Sequence, residues 1–326
     1  MKIGIDKIGF FTSNYYLDMV DLANARGEDP NKYLIGIGQK QQAVIPPTQD
    51  VVTMAANAAE KILTDEDKQS IDMVVFGTET GVDNSKSAAI YVQSLLGISS
   101  SARSFEIKQA CYGGTAGVQM AADHIAMHPD SKVLVLAADI ARYGIKTPGE
   151  VTQGGGAIAM LLSVDPRILV LDNQSAFHSE NIMDFWRPFY KREAIVDGHY
   201  STDIYIDFFN KTFKDYCEKF GRSLTDFSAL VYHLPFTKMG LKALRTVVDD
   251  SPHSQKLKHL EMIILKINIH RSATNKVFAG VIGGLSEHFQ WNPTLARVIF
   301  VILAFTPFFP GIIAYLILWI LMKDPA

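Results

Sequence analysis

Three short runs dominated by apolar residues punctuate the first half of the chain, Met73–Phe76, Lys132–Ala138 and Ala157–Leu162, each bounded by Gly, Asp or Ser. Runs of that length without strict alternation predict strands buried on both faces. Between and before them, apolar positions recur at helical spacing over Val51–Leu63, Ala88–Leu96 and Gly114–Met127. The last is stopped by His128-Pro129-Asp130, because proline cannot continue a helix. Strands alternating with helices predict an α/β fold built in layers. After Asp249 the pattern changes. Asp249-Asp250-Ser251-Pro252-His253-Ser254-Gln255 has the composition of a linker, and Leu257–Ile269 mixes apolar and basic residues with no clear period. Val298–Met322 then carries no charge at all.

A bilayer span needs about 20 apolar residues, so Val298–Met322 predicts a membrane segment. Pro307, Pro310 and Gly311 interrupt it, which leaves open one kinked span or a hairpin of two half-helices. Lys256, Lys258, Lys266, Arg271 and Lys276 precede the segment and Lys323 follows it, so the N-terminal side is expected in the cytoplasm. The 326 residues suffice for two domains, and a net charge of -3 points away from nucleic-acid binding. Met1–Phe11 carries two lysines and an aspartate where a cleavable signal would be apolar. Two cysteines exclude a disulfide framework and fit a reducing compartment.

The candidate chemistry centres on Gln109-Ala110-Cys111-Tyr112-Gly113-Gly114-Thr115-Ala116-Gly117, where a strand-like segment gives way to a helix of small residues. A helix N-terminus favours negative charge, so the Cys111 thiol is expected to have a lowered pKa. Neighbouring Gly and Ala leave room for an acyl donor. The alternative is a buried, inert thiol, the commoner fate of a lone cysteine. Cys217, in Asp215-Tyr216-Cys217-Glu218-Lys219, reads as a helix residue without chemistry. Gly154-Gly155-Gly156 lacks the Lys-Ser/Thr of a phosphate loop, and Gly36-Ile37-Gly38 lacks the third glycine of a dinucleotide fingerprint. The first is expected to mark close backbone approach and the second a turn. The nine histidines show no zinc-type spacing with cysteine.

The opening Ile3-Gly4-Ile5-Asp6-Lys7-Ile8, Gly77-Thr78-Glu79-Thr80, the cysteine run, Thr152-Gln153-Gly154-Gly155-Gly156-Ala157, Asp184-Phe185-Trp186-Arg187-Pro188 and Tyr232-His233-Leu234-Pro235-Phe236 together resemble bacterial hydroxymethylglutaryl-CoA synthases of the thiolase superfamily. The resemblance covers Met1 to about Asp249. It implies that acetyl-CoA and acetoacetyl-CoA are substrates, condensed to 3-hydroxy-3-methylglutaryl-CoA in the mevalonate pathway of isoprenoid biosynthesis, with no cofactor. Cys111 is implied as the nucleophile that takes the acetyl group. Glu79, which follows the strand Met73–Phe76, is implied as the base that removes a methyl proton. His233 is implied as the group that binds the acetoacetyl carbonyl and protonates the alkoxide. Read without the family, Glu79 is a solvated loop residue and His233 a satisfied core side chain. The family's second half supplies further strands and an asparagine partner, which neither Asn268 nor Asn275 matches in context. A homodimer is also implied.

Val277–Phe289, Asn292–Arg297 and Tyr315–Trp319 resemble the PspC domain of phage shock protein C, with Asn292 as helix N-cap and Pro293 at the first helical position. The expected organisation is therefore a thiolase-like N-terminal half over 1–165, a partial, incomplete second half over 166–249 carrying His233, a linker over 250–270, and a small α-helical membrane domain over 271–326. Three functions fit. The first is a membrane-tethered synthase, the second a catalytically inactive fusion whose PspC-like part has an envelope-stress or anchoring role. The third, another condensing enzyme such as a ketoacyl synthase, is opposed by Glu79 and the Trp186-Arg187-Pro188 block.

Overall fold

The computed structural model describes residues 1–236, 238–248 and Thr294. The chain divides between Val247 and Val248 into two units, and the fold described is that of Met1–Val247. The expected linker, the membrane segment and, apart from Thr294, the PspC-like region lie outside the described residues. Among the described residues no helix is long and apolar enough to cross a membrane.

In chain order the strands are β1 (Ile3–Phe11), β2 (Tyr16–Asp18), β3 (Gln41–Ala43), β4 (Ile71–Gly77), β5 (Arg103–Ile107), β6 (Lys132–Ala141), β7 (Gly154–Val164) and β8 (Leu169–Val170). The α-helices are α1 (Met19–Arg26), α2 (Val51–Glu60), α3 (Asp65–Ser70), α4 (Ala88–Leu96), α5 (Gly113–Met127), α6 (Gly198–Phe220) and α7 (Met239–Val247). Six strands form one mixed sheet in the order β5-β4-β6-β7-β1-β8. The pairs β4–β5 and β4–β6 are parallel, whereas β6–β7, β7–β1 and β1–β8 are antiparallel. Each apolar run expected to be a strand lies within one, β4 and β7 reaching further at both ends and β6 at its C-terminal end. Strand β1, with its Gly9 and two charged residues, and the long α6 carry no comparable apolar signal.

The central strands are apolar over Met73–Phe76 and Val133–Leu136 because both faces are covered there. On one face Val74, Phe76, Leu134 and Leu136 join residues of α2 and α4. On the other, Met73, Val75, Val133 and Val135 meet Ala121 and Ile125 of α5. Local caps fix where the helices begin. Asp50 and Thr53 form a reciprocal capping box at α2, and Ser87 accepts from Ala89 N at α4. Helix α4 ends at Gly97, whose φ of 67° is cheap only for glycine. Asp67 is buried, and burial alone would raise its pKa. Hydrogen bonds from Lys7, the Thr64 backbone and hydroxyl, and Lys132 instead hold it well below the usual carboxylate range. It thereby ties α3 to β1 and β6.

Helix α5 lies against the sheet at glycines. A Cβ on Gly77 would stand 2.5 Å from Gly113 C and from Gly114 N, both backbone atoms. A Cβ on Gly117 would stand 3.0 Å from Val135 and 3.1 Å from Val75. Backbone therefore touches backbone where β4 ends and α5 begins. The triple glycine is not a loop but the start of β7, paired with Asp139, Ile140 and Ala141, and a Cβ on Gly155 would meet Ile45 at 2.5 Å. Gly38, with φ 85°, ends a one-turn π-helical segment over Lys32–Ile37.

The segment after β8 is more open. Helix α6 has no buried residue among its 23, and its aromatic side chains pack with one another and with neighbouring loops. Phe209 and Phe213 stack at 5.7 Å, and Tyr216 lies 5.9 Å from Phe227. Cys217 sits on this helix, partly buried.

Substituting Gly77→Ala forces α5 off β4, because no flexible side chain is there to yield. Overpacking of this kind costs about 1–3 kcal/mol. The expected outcome is a lower denaturant midpoint and a loss of any Cys111 chemistry larger than the loss of folded protein, whereas Gly97→Ala lowers stability alone. Denaturation curves and Cys111 labelling of the folded fraction distinguish the two.

Candidate active site

Glu79, Cys111, Asp139, Tyr143 and Arg187 act on one another electrostatically. Each arrives on a defined element. Glu79 is the second residue beyond β4, and Asp139 is near the end of the parallel neighbour β6. Asp139 Oδ1 accepts from Thr78 Oγ1 (2.9 Å), Glu79 N (2.9 Å), Thr80 N (3.0 Å) and Thr80 Oγ1 (2.7 Å). One carboxylate oxygen thus holds the turn that carries Glu79. From the far side, Arg187 Nη1 donates to Glu79 O at 2.8 Å. Tyr143, just past β6, is fixed by its backbone N–H to Gln153 Oε1 (2.9 Å) and meets the Phe185 ring edge-on at 5.7 Å.

Cys111 lies two residues before α5, with Tyr112 as the N-cap. Ala110, immediately before it, has φ 42°, and Phe185, two residues before Arg187, has φ 49°. Both are left-handed conformations that cost a non-glycine residue about 1–2 kcal/mol, and both flank the site. Cys111 is exposed, yet enough protein surrounds its sulfur that desolvation is the leading influence on it. Desolvation, then the charges of Glu79 and Asp139, push the thiol up to about 11, and a hydrogen bond from its own backbone opposes them only in part. The expected lowering is therefore reversed. A helix end contributes a fraction of a unit charge, and here two carboxylates and desolvation outweigh it. The resting sulfur is a neutral thiol.

Glu79 is raised to about 7. Burial contributes most, repulsion from Asp139 next, and Arg187 acts in the opposite direction. A carboxyl that titrates near neutrality can both hold and release a proton at working pH. Burial, then Glu79 and Cys111, also raise Tyr143 above the usual tyrosine range.

Of the three residues implied by the sequence, the structure brings two together. His233 is exposed, in the loop before α7, and its described contacts are with Tyr205. The Tyr205 hydroxyl donates to His233 O at 2.7 Å, and the rings lie 6.4 Å apart. Burial lowers its pKa. Among the described residues no hydrogen bond or charge interaction joins its imidazole to Cys111 or Glu79. Asp139 and Tyr143 were not anticipated, and Arg187 only as part of a block. An aspartate in the otherwise apolar run Ala137-Ala138-Asp139-Ile140 was the available signal, since a carboxylate placed among apolar neighbours needs partners. Among the described residues no group of three His, Cys, Asp or Glu side chains is arranged to hold a metal.

A layered α/β sheet with a cysteine at the head of a glycine-packed helix, facing a carboxylate pair, defines a thiolase-like protein. The model of the hydroxymethylglutaryl-coenzyme A synthase N terminal matches residues 1–167, and that of its C terminal matches residues 169–287. The PspC domain model matches residues 268–325, overlapping the end of the second. The chain is 49% identical to the hydroxymethylglutaryl-CoA synthase of Enterococcus faecalis, over 88% of this chain and 76% of that protein. It is 35% identical to the polyketide biosynthesis 3-hydroxy-3-methylglutaryl-ACP synthase PksG of Bacillus subtilis, over 76% of this chain but only 63% of that protein. A crystal structure of HMG-CoA synthase complexed with CoA superposes with a TM-score of 0.79 at 51% identity, covering 81% of this chain and 68% of that one. The chain belongs to the hydroxymethylglutaryl-CoA synthase family, and it carries a PspC match at its C-terminal end.

Replacing Glu79→Gln removes one of the two charges that hold the thiol protonated. The alkylation midpoint of Cys111 falls from about 11, with Asp139 still in place. Stability follows the opposite sign from a salt-bridged acid. The fold binds the Glu79 proton more tightly than the unfolded chain, so wild-type stability declines as pH rises from about 4.5 through about 7. The Tm of Glu79→Gln relative to wild type therefore rises between pH 5 and pH 8. An unchanged difference across that interval contradicts the assignment.

Proposed function

We propose that the chain condenses acetyl-CoA with acetoacetyl-CoA to 3-hydroxy-3-methylglutaryl-CoA, a step of the mevalonate pathway, through an acetyl-Cys111 intermediate. The observation that carries this reading is a reachable cysteine beside a carboxyl that titrates near neutrality, in a chain of this family. In the first step Cys111 Sγ bonds to the acetyl carbon and loses its proton. The carbon–sulfur bond to CoA breaks, and the departing thiolate takes up a proton. In the second, the Glu79 carboxylate accepts a methyl proton from acetyl-Cys111, and the carbanion adds to the ketone carbon of acetoacetyl-CoA. His233 supplies a proton to the alkoxide. Water then cleaves the Cys111 thioester, freeing the new carboxylate and restoring the thiol. Splitting the condensation in this way replaces one difficult encounter by two assisted ones.

The same proposal includes the layout 1–165, 166–249, 250–270 and 271–326, with the last region anchoring the enzyme to a membrane and the N-terminal part in the cytoplasm, and a homodimer as the working form. The PspC match and the uncharged run Val298–Met322 support the anchor. A second reading, an inactive fusion, is favoured by one observation, that the described contacts of His233 run to Tyr205 rather than to the cysteine.

Radiolabelled acetyl-CoA separates the two readings. The full chain is expected to retain acid-stable label that Cys111→Ala abolishes. Glu79→Gln is expected to keep the label while product formation falls by at least 100-fold, the scale of a lost general base. An unlabelled wild-type chain leaves the inactive fusion. Separately, the full chain is expected to sediment with membranes and resist alkaline extraction, and recovery in the soluble fraction contradicts the anchor.

A further inference from the structure

Arg187 reaches the site from 108 positions along the chain to bond a backbone oxygen, that of Glu79. Its other two donor nitrogens, Nε and Nη2, are buried without a partner. Buried donors left unpaired are costly, so hydrogen bonding alone does not account for the placement of this guanidinium. The groups acting on the Glu79 neighbourhood are Asp139 from β6, Cys111 from the head of α5, Tyr143 from the segment after β6, and Arg187. Within that set Arg187 is the cation. Its loop is held for the task, with Trp186 N and O bridged to Ile195 and Phe185 in a left-handed conformation against Tyr143.

We propose that Arg187 is a positioning residue for the condensation, fixing the Glu79 backbone by hydrogen bond while its charge offsets the Glu79–Asp139 carboxylate pair. This rests on the reading of Glu79 as the base. It assigns the Asp184–Pro188 block a specific task, that of making a carboxylate usable beside a second one. Burial and Asp139 favour the neutral acid, and Arg187 acts on that carboxyl in the other direction, as a nearby opposite charge does.

The test follows the Glu79 carboxyl stretch by infrared titration of the full chain, with Glu79→Gln assigning the band, so that no turnover is needed. Arg187→Gln keeps a donor and loses the charge, Arg187→Met loses both, and Arg187→Lys keeps the charge. The titration is expected near pH 7 in wild type, about one unit higher in Arg187→Gln and Arg187→Met, and back toward the wild-type position in Arg187→Lys. An unmoved titration in Arg187→Gln, or an equal shift in Arg187→Lys, overturns the proposal. If both neutral variants fail to fold in thermal melts while Arg187→Lys folds, Arg187 is a determinant of the fold and the proposal falls. Absence of acetyl label on Cys111 in a wild-type chain whose titration responds as expected fells the reading of the reaction and leaves the placement of Arg187 standing.

Discussion

The contact on which the site depends is between two stretches of bare backbone. Gly77 closes β4, Gly113 and Gly114 open α5, and no side chain separates them. That spacing sets how near the residue after the strand comes to the residue before the helix. Glu79 and Cys111 are neighbours because of it. Any side chain at Gly77 would widen the gap by an atom's width, and the carboxylate and thiol of the proposed reaction tolerate little widening. The apolar faces of β4 and β6 supply the force that holds the layers shut, but the glycines decide the distance at which they close.

The close approach creates an electrostatic conflict. Two carboxylates stand beside a sulfur, and one of them, Asp139, is bound on a single oxygen by four donors from Thr78, Glu79 and Thr80. Burial, and after it repulsion from Asp139, raise Glu79 to about 7. The asymmetry is what gives two chemically identical groups different tasks. Asp139 shapes the turn through its hydrogen bonds, and Glu79 is left to titrate near neutrality.

Much of the scaffold was legible because the strands that matter are buried on both faces. Met73–Phe76 and Lys132–Ala138 have no polar alternation to disguise them, and His128-Pro129 marks the end of α5. Strand β1 was not legible from pattern, since its Lys7 is drawn off the surface by Asp67 rather than by solvent. The Cys111 thiol was expected to be lowered by the helix end, and its surroundings raise it instead. Sequence adjacency displays the helix end near Cys111 but hides Asp139, 28 positions away, which only the β4–β6 pairing brings alongside. Arg187 was hidden for the same reason. Long-range charge is a property of topology, and local pattern carries little of it.

The high thiol pKa and the near-neutral carboxyl are compatible once the two half-reactions are considered in order. Losing the sulfur proton is opposed by the charges of Glu79 and Asp139, so the proposed acyl transfer to Cys111 is easier when Glu79 is protonated. The proposed removal of a methyl proton requires the same carboxyl ionised. A carboxyl at its ordinary value would be ionised throughout and would hold the thiol back. One raised by two units more would rarely accept the methyl proton. A value near the working pH makes both forms abundant, so each half-reaction finds the protonation state it needs without a change of fold. Because Cys111 stays neutral at that pH, it adds no charge of its own against Glu79, in agreement with the influences on that carboxyl being burial, Asp139 and Arg187. A more acidic cysteine would be a better nucleophile in isolation and a worse neighbour for the proposed base.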